Sequence, residues 1–303
     1  MLDKFLRDLI HGEFSVGKSK AAFLDILLVV CITGVAAMIR KAIFGISGNP
    51  GISGGIHMVV YCVLDFVLAF LMAAVVWKAT KHRLKTIGIY SLTVIWPAIA
   101  GNSALNGGKE VVYAVLLMLL LFVIAAKELY NMKSFWCVSI AACAVQILQA
   151  DGSGAKLTNF WPNIYTLFSE TGFLAEYGVT GKLLVFGILL IVFYYISKKK
   201  VAVTPELLVA SGLFISLFIG AFYPFMNYRS GLLANVFGLL MFIQNKNKFY
   251  VPMAMCIISY VSYGYFYNGE IGVFFWMYAL GLVVLMLDAG VYLYKQLQKK
   301  ENA

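Results

Sequence analysis

Along this chain, long apolar runs alternate with short polar breaks. Ten runs stand out, at about 22–42, 56–78, 87–105, 111–129, 135–150, 181–197, 205–226, 228–244, 249–267 and 271–294. A helix of roughly 20 apolar residues crosses the hydrocarbon core of a bilayer. Most of the runs reach that length, and the fifth is short. The pattern predicts an all-α integral membrane protein, a polytopic bundle of about ten transmembrane helices. No stretch between the runs is long and polar enough for a soluble domain. A single transmembrane domain over 1–303 is expected, with a bundle at 21–294 and a tail at 295–303. Within residues 1–20, Leu2, Phe5, Leu6, Leu9 and Ile10 share one helical face opposite charged residues. That spacing predicts an amphipathic helix lying in the cytoplasmic interface. The first apolar run starts too late for a cleaved signal peptide, and no small-x-small site closes it.

Composition sharpens this picture. Of 303 residues, 62% are hydrophobic and 13% charged, with a mean hydropathy of +0.86. A soluble fold of this length could not bury so much apolar surface. The net charge of +10 would suggest nucleic acid in a soluble protein, but its distribution points elsewhere. When successive breaks are assigned to alternate sides, eighteen Lys and Arg fall on one side and six on the other. The six are Arg40, Lys41, Lys109, Lys156, Lys182 and Arg229. Such asymmetry marks the cytoplasmic side, so both termini are expected there and no nucleic-acid partner is. Trp77, Trp136, Tyr194 and Tyr195 lie near run ends, as interfacial anchors do. The five cysteines all lie within apolar runs and read as small hydrophobes.

The outward segments hold most of the remaining chemistry. They are the acid-free, glycine-rich 43–55, then 102–110, the long 151–180, the tight 223–231 and 268–270. Polar and aromatic residues gather there, whereas the cytoplasmic breaks are mostly lysine, so a site is expected on the external face. Arg229 follows Tyr228 where two runs meet, and a planar guanidinium at a membrane boundary suits phosphate. Snorkelling to lipid headgroups is the alternative. Asp25 and Asp288 lie near cytoplasmic run ends. Asp65 lies mid-run, where a charge is expensive and turns inward, paired with a neighbouring helix or protonated. His57 has no second ligand at metal spacing, and neither metal nor cofactor is expected.

Four segments, in order, resemble motifs of the GT-C membrane glycosyltransferases, in particular bacterial relatives of the GPI second mannosyltransferase. "NSALNGGKEVVYA" at 102–114 is similar to the family's N-S-A-x-W-G-Q-x-D-x-x-Y-A stretch, with Asn106 for Trp, Gly108 for Gln and Glu110 for Asp. "ILQA" at 147–150 resembles K-L-Q-A without the lysine, and P-N-I-Y stands intact at 162–165. "YPFMNYRS" at 223–230 resembles L-P-x-M-H-E-R-Y, keeping Met226 and Arg229, with Asn227 for His and Tyr228 for Glu. The likeness runs along about 20–270. The family's long first external loop, which carries the acidic catalytic residue, is truncated here to thirteen acid-free residues.

The resemblance implies a GT-C-like bundle using a polyprenyl-phosphate-linked sugar on the outer face for envelope glycan assembly. Glu110 is the remaining motif-aligned carboxylate and the implied catalytic residue. Asp151, Glu170, Glu176 and Glu270 face outward but match no motif. Arg229 and Lys109 would hold the donor phosphate. Asn102, Asn163, Tyr165, Asn227 and Tyr228 would complete the substrate site. The absence of N-x-S/T sequons from the external segments fits a bacterial cytoplasmic membrane. Two alternatives stay open. One is an inactive GT-C-like protein that binds a lipid-linked glycan or partners another envelope glycan enzyme. The other is a lipid or solute transporter, for which Pro97 and the short fifth run would mark broken helices.

Overall fold

The computed structural model describes residues 13–16, 19–46, 51–105, 108–150, 157–167, 178–199, 201–268 and 274–298. The chain is all-α apart from two small strand pairs. Strands β1 (Glu13–Val16) and β2 (Ser19–Ala22) form an antiparallel pair. The apolar face predicted over residues 2–10 lies outside the described residues. The predicted helix does not reach residue 20, however, because 13–16 and 19–22 pair as strands. Gly12 and Gly17 disfavour helix there by about 1 kcal/mol each.

Helices α1 (Phe23–Ile46), α2 (Gly51–Thr80), α3 (Arg83–Ile95), α4 (Pro97–Ala100), α5 (Glu110–Ala126) and α6 (Met132–Leu148) form the first half. Helices α7 (Gly178–Lys198), α8 (Pro205–Phe222), α9 (Leu232–Gln244), α10 (Tyr250–Asn268) and α11 (Phe275–Gln298) form the second. Six of them, α1, α2, α7, α8, α10 and α11, are long and apolar enough to cross a membrane. A seventh candidate is the bent pair Arg83–Ile95 and Pro97–Leu105, while α5, α6 and α9 are shorter apolar helices. These lengths, and the many large apolar side chains left exposed on α1, α7 and α11, make a lipid bilayer their environment. The predicted external segment 43–55 is mostly helical, since α1 continues to Ile46 and α2 starts at Gly51. Helix thus takes up most of the segment that the sequence reading assigned to a loop.

Packing follows from side-chain character. Helices α8 and α9 are apolar on every face and fill the centre of the bundle, as an all-round hydrophobic helix must. Small residues allow the close approach: any side chain on Gly212 would overlap the Phe237 ring. Helix α8 starts with Pro205 at its first position, and the Thr204 hydroxyl accepts from the Leu207 N–H at 3.2 Å.

The break at Pro97 shapes the site. Proline has no N–H for the Thr93 carbonyl and its ring crowds that carbonyl, so the helix stops at Trp96 and restarts bent by 46°. The bend leaves carbonyls to be satisfied by other helices. Val94 O accepts from Arg40 Nη1 at 2.6 Å, and Ala98 O accepts from the Tyr263 hydroxyl at 3.2 Å. Trp96 Nε1 donates to Asn235 Oδ1 at 2.9 Å. The restarted helix ends in a π-helical turn, Gly101–Leu105, a wider winding that often accompanies functional sites.

Candidate functional site

Three segments meet at the end of the bundle opposite the lysine-rich one: the π-turn with the following 108–110, residues 157–165, and 223–231. Strand β3 (Thr158–Asn159) pairs in parallel with β4 (Met226–Asn227), and Ala150 and Phe160 add bridges to Met226 and Asn227. The fragments that carry the resemblance, far apart in sequence, are thereby brought together.

At the centre is a carboxylate beside a guanidinium. Glu110 opens α5, just before its apolar stretch, where the positive end of the helix dipole favours a negative charge. Glu110 is 2% exposed, and its Oε1 lies 3.8 Å from Arg229 Nη1. That separation is an ion pair but too long for a hydrogen bond. Glu110 Oε2 is buried without a hydrogen-bond partner among the described residues, as is Asn102 Oδ1. Burial pushes the Glu110 carboxyl above its ordinary range, against the opposing pull of Arg229.

Gly108 explains how Asn102 and Glu110 come together. Its N–H donates to Asn102 O at 2.8 Å, closing the turn. A Cβ at Gly108 would lie 2.5 Å from Asn102 Oδ1 and 2.6 Å from Glu110 Oε2. Only glycine lets both side chains pack against this backbone. Lys109, beside them, is exposed. Asn106 lies outside the described residues, as do Asp151, Glu170, Glu176 and Glu270.

Arg229 is held from two directions. Its backbone N–H donates to Asn227 Oδ1 at 2.9 Å, an Asx-type turn, and its guanidinium lies over the Tyr228 ring at 5.0 Å. Tyr228 in turn stacks on Phe266 at 3.9 Å. Phe160 meets Phe266 edge-on, and the Tyr267 hydroxyl donates to Leu105 O at 3.0 Å, so an aromatic shelf borders the pair. Phe160 and Phe225 both have positive φ, 59° and 64°, a strained state for bulky residues that the strand pairing holds in place.

Asn163 and Tyr165, to which the resemblance gives a sugar-lining role, make hydrogen bonds within the protein. Asn163 is fully buried; its Oδ1 accepts from the Tyr165 N–H at 3.1 Å and its Nδ2 faces Leu157 O and Tyr223 O. The Tyr165 hydroxyl donates to Phe222 O at 3.2 Å. Together with Trp161, whose Nε1 donates to Gly220 O at 2.9 Å, they fasten the 157–167 loop to the end of α8.

Sequence reading passed over the polar residues beneath Arg229. Gln146 Nε2 donates to Ser230 O at 2.8 Å, and Gln149 is buried with neither amide atom partnered among the described residues. The signal was available, because Gln149 belongs to the quoted "ILQA". The mid-helix Asp65 does pair with a neighbouring helix: Arg40 Nε and Nη2 each lie 2.9 Å from its Oδ2, and the Ser103 hydroxyl donates to the same oxygen. Asp25 pairs with Arg83, and Asp288 with Lys248 at 2.6 Å.

Comparison with protein-family models, curated proteins and solved structures finds no match to this chain.

Proposed function

We propose that this chain is a GT-C-like membrane glycosyltransferase that takes a hexose from a polyprenyl phosphate on the external face. In this reading all ten apolar helices cross the bacterial cytoplasmic membrane and both termini are cytoplasmic. The observation that carries the reading is the Glu110–Arg229 pair, 3.8 Å apart, which joins the two motif-like segments at a lip bordered by aromatic rings. Arg229, with Lys109 beside it, offers cations to a phosphodiester oxygen. Glu110 offers a carboxylate with raised proton affinity, suited to a general base. The acceptor hydroxyl oxygen forms a bond to the anomeric carbon and gives its proton to Glu110. The bond from that carbon to the phosphate oxygen breaks, and polyprenyl phosphate leaves with the electron pair. Phe266, backed by Tyr228 and itself exposed, presents an apolar surface of the kind on which sugar rings stack.

One observation favours the second reading, a lipid-glycan-binding protein without turnover: Glu110 is almost wholly enclosed and its unpartnered oxygen packs against Asn102 and Gly108. Hexose release from polyprenyl-phosphate hexoses by the purified protein in lipid separates the two. Turnover lost in Glu110→Gln, and rising with pH from above the ordinary carboxylate range in the parent, supports the enzyme. Donor binding lost in Arg229→Ala, with no turnover in any sample, supports the binding protein. Neither binding nor turnover removes both and leaves transport.

A further inference from the structure

A second lipid-facing feature lies at the opposite, lysine-rich end. Helices α7 and α11 both pack beside α8 but stand apart from each other, leaving a groove of about 330 Å3. Its walls are Ile191 and Tyr195 of α7 and Leu293 and Tyr294 of α11, and its floor is Phe214 of α8 with Gly290 of α11. The volume is about twice the ~150 Å3 cavity that holds a benzene. Among the described residues no polar side chain other than the two tyrosines lines it, so hydrocarbon is its natural filling.

The mouth is cationic. The Lys199 ammonium lies 5.3 Å from the Tyr195 ring centre and 6.0 Å from that of Tyr294, the two tyrosines of the groove. Lys198 lies 5.3 Å from Tyr194. Tyr294 is oriented further by Gln298 Nε2, which donates to its hydroxyl at 2.8 Å. In sequence, Lys198, Lys199, Lys200, Lys295, Lys299 and Lys300 cluster at these two helix ends and outnumber the nearby Glu206, Asp288 and Glu301. An apolar slot about two helical turns long that ends in lysines has the polarity of the headgroup end of an anionic lipid.

We infer that this groove is a binding site for one negatively charged phospholipid, with an acyl chain between α7 and α11 and its phosphate at Lys198 and Lys199. Gly290 keeps the groove open. A side chain there would approach Phe214 to 3.2 Å and occupy the floor. The inference is independent of any reaction at the other end of the protein.

Native mass spectrometry of the purified protein, titrated with phosphatidylglycerol or phosphatidylcholine of matched chains, tests it. The parent should retain phosphatidylglycerol about thirtyfold more strongly, as two interfacial lysines imply. Lys198→Gln with Lys199→Gln, at a helix end outside the packed core, should erase the preference while leaving weak binding of both lipids. Gly290→Leu should weaken both lipids, whereas Gly281→Leu, on the same helix with open space around it, should weaken neither. Equal retention of the two lipids by the parent overturns the inference. So does a preference that survives the double lysine substitution.

Discussion

Two arginine–carboxylate pairs flank the same π-turn and are built to opposite ends. Arg40 and Asp65 are 4% and 0% exposed and in contact at 2.9 Å, and both are reinforced from the broken helix, Arg40 by Val94 O and Asp65 by the Ser103 hydroxyl. Arg229 and Glu110 stand 3.8 Å apart and Arg229 is 25% exposed, while each carboxylate keeps one oxygen, Asp65 Oδ1 and Glu110 Oε2, without a hydrogen-bond partner among the described residues. Consecutive residues of one turn serve both, since Ser103 reaches Asp65 while Asn102 packs beside Glu110. A closed pair resists exchange, because desolvated charges can be separated only at large cost. A loose pair with an accessible guanidinium can exchange its partner for a ligand anion. The first pair therefore fixes the broken helix, and the second is free of that duty, as the proposed function requires.

That contrast can be broken most forcefully at Asp65. Asp65→Asn leaves Arg40 buried and uncompensated, and should lower stability by about 3–5 kcal/mol in thermal or denaturant unfolding in detergent. Arg40→Met combined with Asp65→Leu should recover most of the loss. If Asp65→Asn is as stable as the parent, the pair does not hold the helix. Should Asp65→Asn instead abolish solute movement in proteoliposomes while stability is kept, the transport reading takes precedence.

Next in size is Gly108→Ala, which forces Asn102 and Glu110 off the turn. An overpacking loss of about 1–3 kcal/mol is expected, together with lost donor binding, by unfolding and by lipid pull-down. Arg229→Ala leaves the buried Glu110 carboxyl without its cation, a loss that protonation relieves, so it should lower stability by about 1 kcal/mol and weaken polyprenyl-phosphate binding about tenfold or more, the worth of a charge-assisted hydrogen bond. A large stability loss there would mean that the loose pair is structural after all. The smallest effect is expected for Ser103→Ala, about 1 kcal/mol from one hydrogen bond to Asp65. Its donor binding should stay at the parental level if the two pairs act separately.

The resemblance directed attention to Glu110 and Arg229 without showing that they meet. It also implied a sugar pocket at Asn163 and Tyr165, and did not show that their polar atoms tie the 157–167 loop to α8. A residue type that can bind a sugar can equally satisfy a backbone carbonyl, and only coordinates distinguish the two. Asp65 announced itself as an expensive mid-helix charge, but nothing in the local sequence singled out Arg40, on another helix, as its partner. Pro97 could be read in advance as a possible break, because its missing N–H and its ring act on the residues beside it.

By itself the amino-acid sequence determined that apolar helices dominate the chain and where most of them begin and end. Those properties depend on residues within one turn or one run of each other. Tertiary structure alone decided that Asn102 and Ser103 serve different carboxylates, that Gly108 must lack a side chain, and that α7 and α11 leave a groove between them. Each of these depends on the approach of side chains distant in sequence, at separations of a few ångströms that hydrophobic pattern cannot encode.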